Sequence, residues 1–151
     1  MAPLDDQELS AAIENASSPA WSVRGEAGRQ LASSDKIEEV ADVLHRLLLD
    51  AQDTWVIQET ADALLERKDT VGLRYVLLAY SQAGTYDAVD HLGAALDCNP
   101  EWMTTEGADR LIKQLRTLAT DEDAGVRDEA QQILAKLRPR EEWASESEAD
   151  S

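Results

Sequence analysis

Two histidines and one cysteine are the side chains of this 151-residue sequence best suited to nucleophilic, acid–base or metal chemistry. His45 and His91 lie in different parts of the chain, and neither has a cysteine or a second histidine at the short spacings of zinc sites. Cys98 stands alone, so no disulfide can form within the chain, and its neighbours in LDCNP include no basic residue that would activate a thiol. We expect structural roles for both histidines, and for Cys98 the role of a small buried hydrophobe.

Carboxylates are the other candidates for catalysis, and their number argues against assigning any of them. The sequence has 31 Asp and Glu residues, so close pairs arise by chance, and its seven glycines are scattered instead of forming a phosphate-binding loop. The sequence therefore predicts a protein that is not an enzyme, with no catalytic residue, no metal ion and no cofactor.

The net charge of the chain is −17 at pH 7. Such a charge repels the phosphates of nucleic acids and the acidic surface of membranes, whereas it attracts a basic protein. We therefore expect a basic protein partner, with no nucleic-acid or membrane binding, although the charge could also serve only solubility. The start, MAPLDDQELS, has no signal-peptide features, and no apolar run reaches the roughly 18 residues of a membrane span, which favours a cytoplasmic protein.

A repeated apolar pattern predicts the elements that must position any site. The pattern Trp21-x-Val23-x3-Ala27-x3-Leu31 returns 34 residues later, starting at Trp55, and looser copies start at Tyr86 and Ala124. Positions four apart share one helix face, so each copy predicts a short helix with a seam of small residues. Between the copies, apolar stripes at i, i+3, i+4 and i+7 predict second helices, and the stripes begin at Val40, Leu73 and Ala108.

These helices predict an all-α fold, an α-solenoid of about four helical hairpins that share one core. Polar turns such as DAQD and TDED supply helix caps between them, and LDDQELSAAIENA predicts a short leading helix. We expect a single domain over residues 1–137. Residues 138–151 are acidic and rich in serine, which predicts a disordered tail.

The segments AWSVRGEAGRQLA and DEDAGVRDEAQQILAKL resemble HEAT repeats, in particular the short HEAT-like type found in phycobilisome lyases. Val23-Arg24 and Val126-Arg127 match the Val-Arg step of that type, whereas Ile57-Gln58 and Ala88-Val89 depart from it. The resemblance implies a helical array that mostly serves as a protein-binding scaffold, since the fold alone does not fix a function. HEAT-like DNA glycosylases are enzymes of similar architecture, but they present a cationic groove, and this acidic chain has only four lysines.

The resemblance also implies that the second helices line a concave face. Aligning their stripes brings Tyr75 and Leu78 between charged residues, which is typical of an interface centre with a polar rim. The alternative, that both are half-buried between hairpins, stays open. We expect Trp21 and Trp55, which are equivalent in the repeat, to pack in the core or as a hydrophobic staple instead of binding a partner. The predicted protein-binding residues are Glu38, Glu39, Asp42, Arg46, Tyr75, Leu78, Arg110 and Lys113.

The sequence thus predicts a non-enzymatic protein-binding module. Its more specific form is a monomeric bacterial inhibitor or immunity protein that neutralises a toxin or another basic effector through the concave face. One alternative is an adaptor or regulatory scaffold of a protein complex, and another is a HEAT-like lyase or DNA glycosylase.

Overall fold

The computed structural model describes the backbone of residues 5–149 and the side chains of residues 5–137. Within these residues the chain forms α-helices and two short 3-10 helices, with no strand, which confirms the all-α class. The 3-10 helices cover Ile37–Val40 and Pro100–Met103. The α-helices are α1 (Asp6–Asn15), α2 (Trp21–Ala32), α3 (Ala41–Leu48), α4 (Thr54–Glu66), α5 (Thr70–Gln82), α6 (Tyr86–Asp97), α7 (Thr105–Leu118) and α8 (Ala124–Ala149).

Polar side chains cap the helices where the sequence places turn residues. Asp53, Asp69, Thr85 and Thr104 precede α4, α5, α6 and α7, and each side-chain oxygen accepts a hydrogen bond from a backbone N–H in the first turn. The predicted leading helix starts in the same way, because Asp5 accepts from the first turn of α1 at 2.7 Å. Each such cap contributes about 1 kcal/mol of stability.

The chain divides into two compact units, residues 1–99 and 100–151. In the first unit α2 packs on α4 and α4 on α6, while α3 packs on α5, and α1 covers part of α2. Successive helices from α2 to α6 also contact each other, so this unit has one layer of α2, α4 and α6 and another of α3 and α5. In the second unit α7 packs on α8 and on the 3-10 helix Pro100–Met103.

The last helix extends past the position at which the sequence predicts the domain to end. The backbone of α8 is helical from Ala124 to Ala149, whereas a disordered tail is predicted for residues 138–151. The side chains of that segment lie outside the described residues. The domain boundary at residue 137 therefore stays a prediction.

The predicted seam of the first-layer helices is mostly buried. Ala27, Ile57 and Leu92 from α2, α4 and α6 are each at most 1% exposed. Val23, predicted to belong to the seam, is instead 37% exposed, while its neighbour Arg24 is 6% exposed. At this level α2 turns the arginine inward, so the side chain beside it faces solvent.

Two glycines allow α2 to approach α4 closely. A Cβ atom on Gly25 would lie 2.0 Å from the Cζ3 atom of Trp55, and a Cβ atom on Gly28 would lie 2.1 Å from the Oγ1 atom of Thr60. Neither contact is possible for two atoms that are not bonded. The absence of a side chain at these positions therefore sets how near the two helices lie.

The arginines of the two Val-Arg steps have equivalent backbone partners. Arg24 donates from Nη1 to the carbonyl oxygen of Ser18 at 3.0 Å, and Arg127 donates from Nη1 to that of Asp121, also at 3.0 Å. In both cases the acceptor lies six residues before the arginine. Arg24 additionally forms an ion pair with Asp50, in the turn before α4.

Arg67, directly after α4, links three parts of the first unit. Its Nη1 atom donates to the carbonyl oxygens of Ala32 and Ser34, both at 2.9 Å, at the end of α2. Its Nη2 atom pairs with the carboxylate of Asp69 at 3.0 Å. Asp69 in turn accepts from the backbone N–H of Gly72 and so caps α5.

Candidate functional site

The second layer of the first unit is anchored by buried apolar side chains. Leu44 and Leu47 of α3 and Val76 and Leu77 of α5 are at most 1% exposed. They are part of the predicted stripes, and they hold α3 against α5. On the opposite face of these helices, Asp42 of α3 is exposed and Tyr75 and Leu78 of α5 are half-buried.

A surface depression of about 210 Å³ lies between α3 and α5. Asp42 and His45 are three residues apart on α3, and Tyr75 and Leu78 are three residues apart on α5, so each pair shares one helix face. We call this feature the α3–α5 depression. Its lining consists of Ala41, Asp42, His45, Tyr75, Leu78 and Gln82.

The lining combines a carboxylate with an aromatic ring and aliphatic side chains. Asp42 is exposed, whereas Tyr75 and Leu78 are half-buried. No hydrogen bond or ion pair within the described residues occupies the Asp42 carboxylate or the Tyr75 hydroxyl. Both polar groups are therefore available to a molecule bound in the depression.

Charges of both signs act on the Tyr75 hydroxyl. Burial raises the pKa of its hydroxyl, and the negative charge of Glu38 raises this pKa further. The positive charges of Arg74 and Arg67 act in the opposite direction. Arg67 is already paired with Asp69, so its charge is partly neutralised.

The structure brings only part of the predicted binding set together. Asp42, Tyr75 and Leu78 line the α3–α5 depression, and the charge of Glu38 acts on Tyr75. Glu39 is exposed on the same 3-10 helix as Glu38.

The other predicted binding residues have different surroundings. Arg46 donates from Nη2 to the hydroxyl of Ser17 at 3.2 Å, at the end of α1. Arg110 and Lys113 lie on α7 in the second unit, where Arg110 pairs with Glu101 at 3.2 Å.

Sequence reasoning did not assign Ala41, His45 and Gln82 to the binding set. A spacing rule could have found them, because Ala41 lies four residues before His45 and Gln82 lies four residues after Leu78, each one helical turn away. His45 is the one histidine of the lining. An imidazole ring therefore lies beside Tyr75 and Leu78.

The remaining candidates for chemistry have other positions. His91 places its Nδ1 atom 3.3 Å from the amide oxygen of Gln58, so it links α6 to α4. Cys98 is exposed, which makes the predicted burial wrong. The physical reason is that Cys98 follows the last residue of α6 and so lies beyond the buried face of that helix. Among the described residues, no group of three or more His, Cys, Asp or Glu side chains could hold a metal ion.

A second exposed surface is formed by aromatic residues at the beginnings of the first-layer helices. The rings of Trp21 and Trp55 meet edge to face, with centroids 5.0 Å apart and an interplanar angle of 81°. They are 51% and 38% exposed, so the two rings pack on each other at the surface. Of the two predicted arrangements, packing in the core is not found, and packing as a staple stays a prediction. Tyr86, at the equivalent position of α6, is 85% exposed.

Comparison with known proteins adds no relative to this description. No family model, no curated protein and no solved structure matches the chain. In the part of the chain that the structure describes, every helix is too short or too polar to cross a membrane.

Proposed function

We propose that this chain is a non-catalytic module that binds a basic protein through the layer of α3 and α5. The observation that carries the proposal is the α3–α5 depression, where Tyr75 and Leu78 stand beside the exposed carboxylate of Asp42. Aromatic and aliphatic side chains with a charged rim are typical of the energetic centre of an interface. The net charge of −17 supports a basic partner, because opposite charge accelerates encounter.

The architecture that we propose for this module is a HEAT-like α-solenoid. The two-layer packing of α2 to α6 supports it, since each hairpin of that unit adds one helix to each layer. The matching hydrogen bonds of Arg24 and Arg127 support a common repeat, because both arginines reach the carbonyl six residues before them. In such an array α3 and α5 belong to the second, concave layer.

The more specific form of the proposal is an inhibitor or immunity protein that acts as a monomer and neutralises a toxin or another basic effector. In this form the acidic field sets the association rate, and Tyr75 and Leu78 set the dissociation rate. The alternative is an adaptor in a larger complex. The exposed aromatic surface of Trp21, Trp55 and Tyr86 favours this alternative, since it gives the chain a second surface for a partner.

The experiment that tests the proposal is affinity capture from a lysate of the source organism on the immobilised full chain, with elution by rising salt. Tyr75→Ala is compared with Tyr86→Ala, which removes a more exposed tyrosine of the other layer. We expect a basic protein that the wild type and Tyr86→Ala retain at low salt and release at high salt, and that Tyr75→Ala fails to retain.

Two further results decide between the forms of this proposal. Loss of the captured protein from Tyr86→Ala but not from Tyr75→Ala would favour the adaptor alternative. A captured protein whose own activity is unchanged by the full chain would exclude the inhibitor role. Retention of no protein by any variant would count against a binding module for basic proteins.

A further inference from the structure

The α3–α5 depression has the dimensions of a subsite for one long side chain. Its volume of about 210 Å³ corresponds to roughly seven water molecules at about 30 Å³ each. It is partly open to solvent, so its lining can be reached by a side chain from another molecule. A whole peptide segment would extend beyond it.

The chemistry of the lining selects a cation with an apolar stem. Ala41 and Leu78 offer aliphatic surface, Tyr75 offers an aromatic ring, and Asp42 offers a carboxylate that no residue of the described chain neutralises. An anionic side chain would be repelled by the Asp42 carboxylate. A purely aliphatic one would leave that carboxylate and the amide of Gln82 partly desolvated.

Arginine fits this combination better than lysine. Its guanidinium is planar and weakly hydrated, so it stacks on aromatic rings and forms two parallel hydrogen bonds with a carboxylate. The lysine ammonium is a strongly hydrated point charge, and it loses more solvation energy in a half-enclosed site. The exposed carboxylates of Glu38 and Glu39 on the preceding 3-10 helix strengthen the attraction for either cation.

Two arginines of this region have partners outside the lining. Arg67 is held by Asp69 and by the carbonyl oxygens of Ala32 and Ser34. Arg46 points its Nη2 atom to Ser17 at 3.2 Å.

We propose that the α3–α5 depression is an arginine subsite, in which the guanidinium of an arginine from the basic partner lies between the Tyr75 ring and the Asp42 carboxylate. The methylene stem then packs on Leu78 and Ala41. This inference rests on the proposed function and adds the chemistry by which the partner is recognised.

The test uses the full chain, whose mass of 16.6 kDa suits amide-resolved NMR. The probes are N-acetyl-arginine amide and the matching citrulline and lysine compounds, since citrulline keeps the shape of arginine without its charge. We expect arginine to shift the amide signals of residues 41–45 and 75–82, and citrulline to bind about tenfold more weakly. Equal shifts with citrulline, or no shift of these signals at the solubility limit of the probe, would overturn the subsite.

Matched variants locate the effect on the lining. Asp42→Asn removes the charge and should weaken arginine binding about tenfold, whereas Asp87→Asn removes an exposed carboxylate in the first turn of α6 and should leave it within twofold. Thermal unfolding of each variant verifies that it is folded. Equal binding by wild type and Asp42→Asn would refute the assignment.

The partner experiment separates this inference from the proposed function. If Asp42→Asn retains the captured protein as the wild type does and Tyr75→Ala does not, the binding module stands and the arginine subsite is wrong. If arginine binds at α3 and α5 and no basic protein is captured, the proposed function is wrong.

Discussion

Arg24 and Asp50 form a two-point ion pair that joins the first turn of α2 to the turn before α4. The Nε atom of Arg24 lies 2.9 Å from Oδ2 of Asp50, and its Nη2 atom lies 3.3 Å from Oδ1. The two side chains are only 7% and 10% exposed. Asp50 Oδ1 also accepts from the backbone N–H groups of Gln52 and Asp53, so one carboxylate orders the whole turn.

Arg24→Ala should destabilise the protein strongly. The substitution leaves the Asp50 carboxylate in a largely buried position without its cation, which typically costs about 3 kcal/mol. The control is Arg29→Ala on the same helix, because Arg29 pairs with Glu59 near the surface and is itself 54% exposed. That exposed pair contributes less than about 1 kcal/mol. Urea unfolding of both variants measures the difference, and equal losses would contradict a special role for the Arg24–Asp50 pair.

The same ion pair predicts a loss of stability in acid. Burial alone would raise the pKa of Asp50, but the hydrogen bond from Arg24, the backbone hydrogen bonds of Asp53 and Gln52, and the Arg24 charge together lower it below 3.8. The ionised carboxylate therefore adds stability that is complete above the unfolded pKa and is lost as pH falls through the lower folded pKa.

Urea midpoints of the wild type and of Asp50→Asn at several pH values check this prediction. The stability difference between them should be full at pH 7 and should shrink below about pH 4, where the unfolded chain takes up the proton. A difference that stays constant down to pH 2 would show that Asp50 acts through its shape instead of its charge.

Asp62 on α4 should have the opposite effect to Asp50 on the pH dependence of stability. Burial raises its pKa, and the charges of Glu59 and Glu66, which are three and four residues away on the same helix, raise it further. Its ionised form therefore destabilises the folded state above the folded pKa, and this penalty disappears as pH falls to the unfolded value. Asp62→Asn should raise the free energy of unfolding by about 0.5 kcal/mol at pH 7 and should leave it unchanged near pH 3. Asp87→Asn, which removes an exposed carboxylate of α6, is the control for the loss of one negative charge.

Gly25→Ala should separate α2 from α4. The added methyl group would meet the Trp55 ring at 2.0 Å, so the ring must move, and such overpacking costs about 1–3 kcal/mol. Gly84→Ala is the matched control, because a Cβ atom there meets nothing within 4 Å. Thermal unfolding measures the stability, and tryptophan fluorescence reports the displaced ring. Unchanged stability and fluorescence of Gly25→Ala would contradict the close approach of the two helices.

Once the partner is isolated, Tyr75→Ala and Glu38→Ala should affect different rate constants. Loss of the Tyr75 anchor should weaken binding about 30-fold, mainly through faster dissociation, because it removes about 2 kcal/mol from the centre of the interface. Loss of the Glu38 charge at the rim should slow association a fewfold at low salt and little at high salt. Surface plasmon resonance at two salt concentrations checks both, and equal losses would contradict the anchor model.

The sequence predicts the helices well because their signals are local. Apolar residues four apart and cap residues such as Asp53 and Asp69 depend on one helix at a time, so helix positions follow from them. The inward turn of Arg24 is different, because it depends on the approach of α4 to Gly25, and that distance is a property of two helices. For this reason the sequence placed Val23 in the seam when it is in fact exposed.

The predicted binding residues show the same difference between features that depend on one helix and features that depend on two. Tyr75 and Leu78 belong to one helix face, and spacing alone was sufficient to group them. Aligning the stripes of successive helices also put Asp42 in the predicted set. The place of His45 in the lining depends on how α3 packs on α5, which no pattern within either helix determines. Exposure of Cys98 follows from its position directly after the last residue of α6.

The guanidinium of Arg67 affects how the first unit, residues 1–99, unfolds. Helical arrays whose hairpins touch only through their faces can lose them one after another from an end. Here a single cation holds the carbonyl end of α2 and, through Asp69, the beginning of α5. Fraying at the end of α2 therefore weakens the beginning of α5, and fraying of α5 weakens the end of α2. The two helices should share one rate of amide hydrogen exchange and behave as a single cooperative segment.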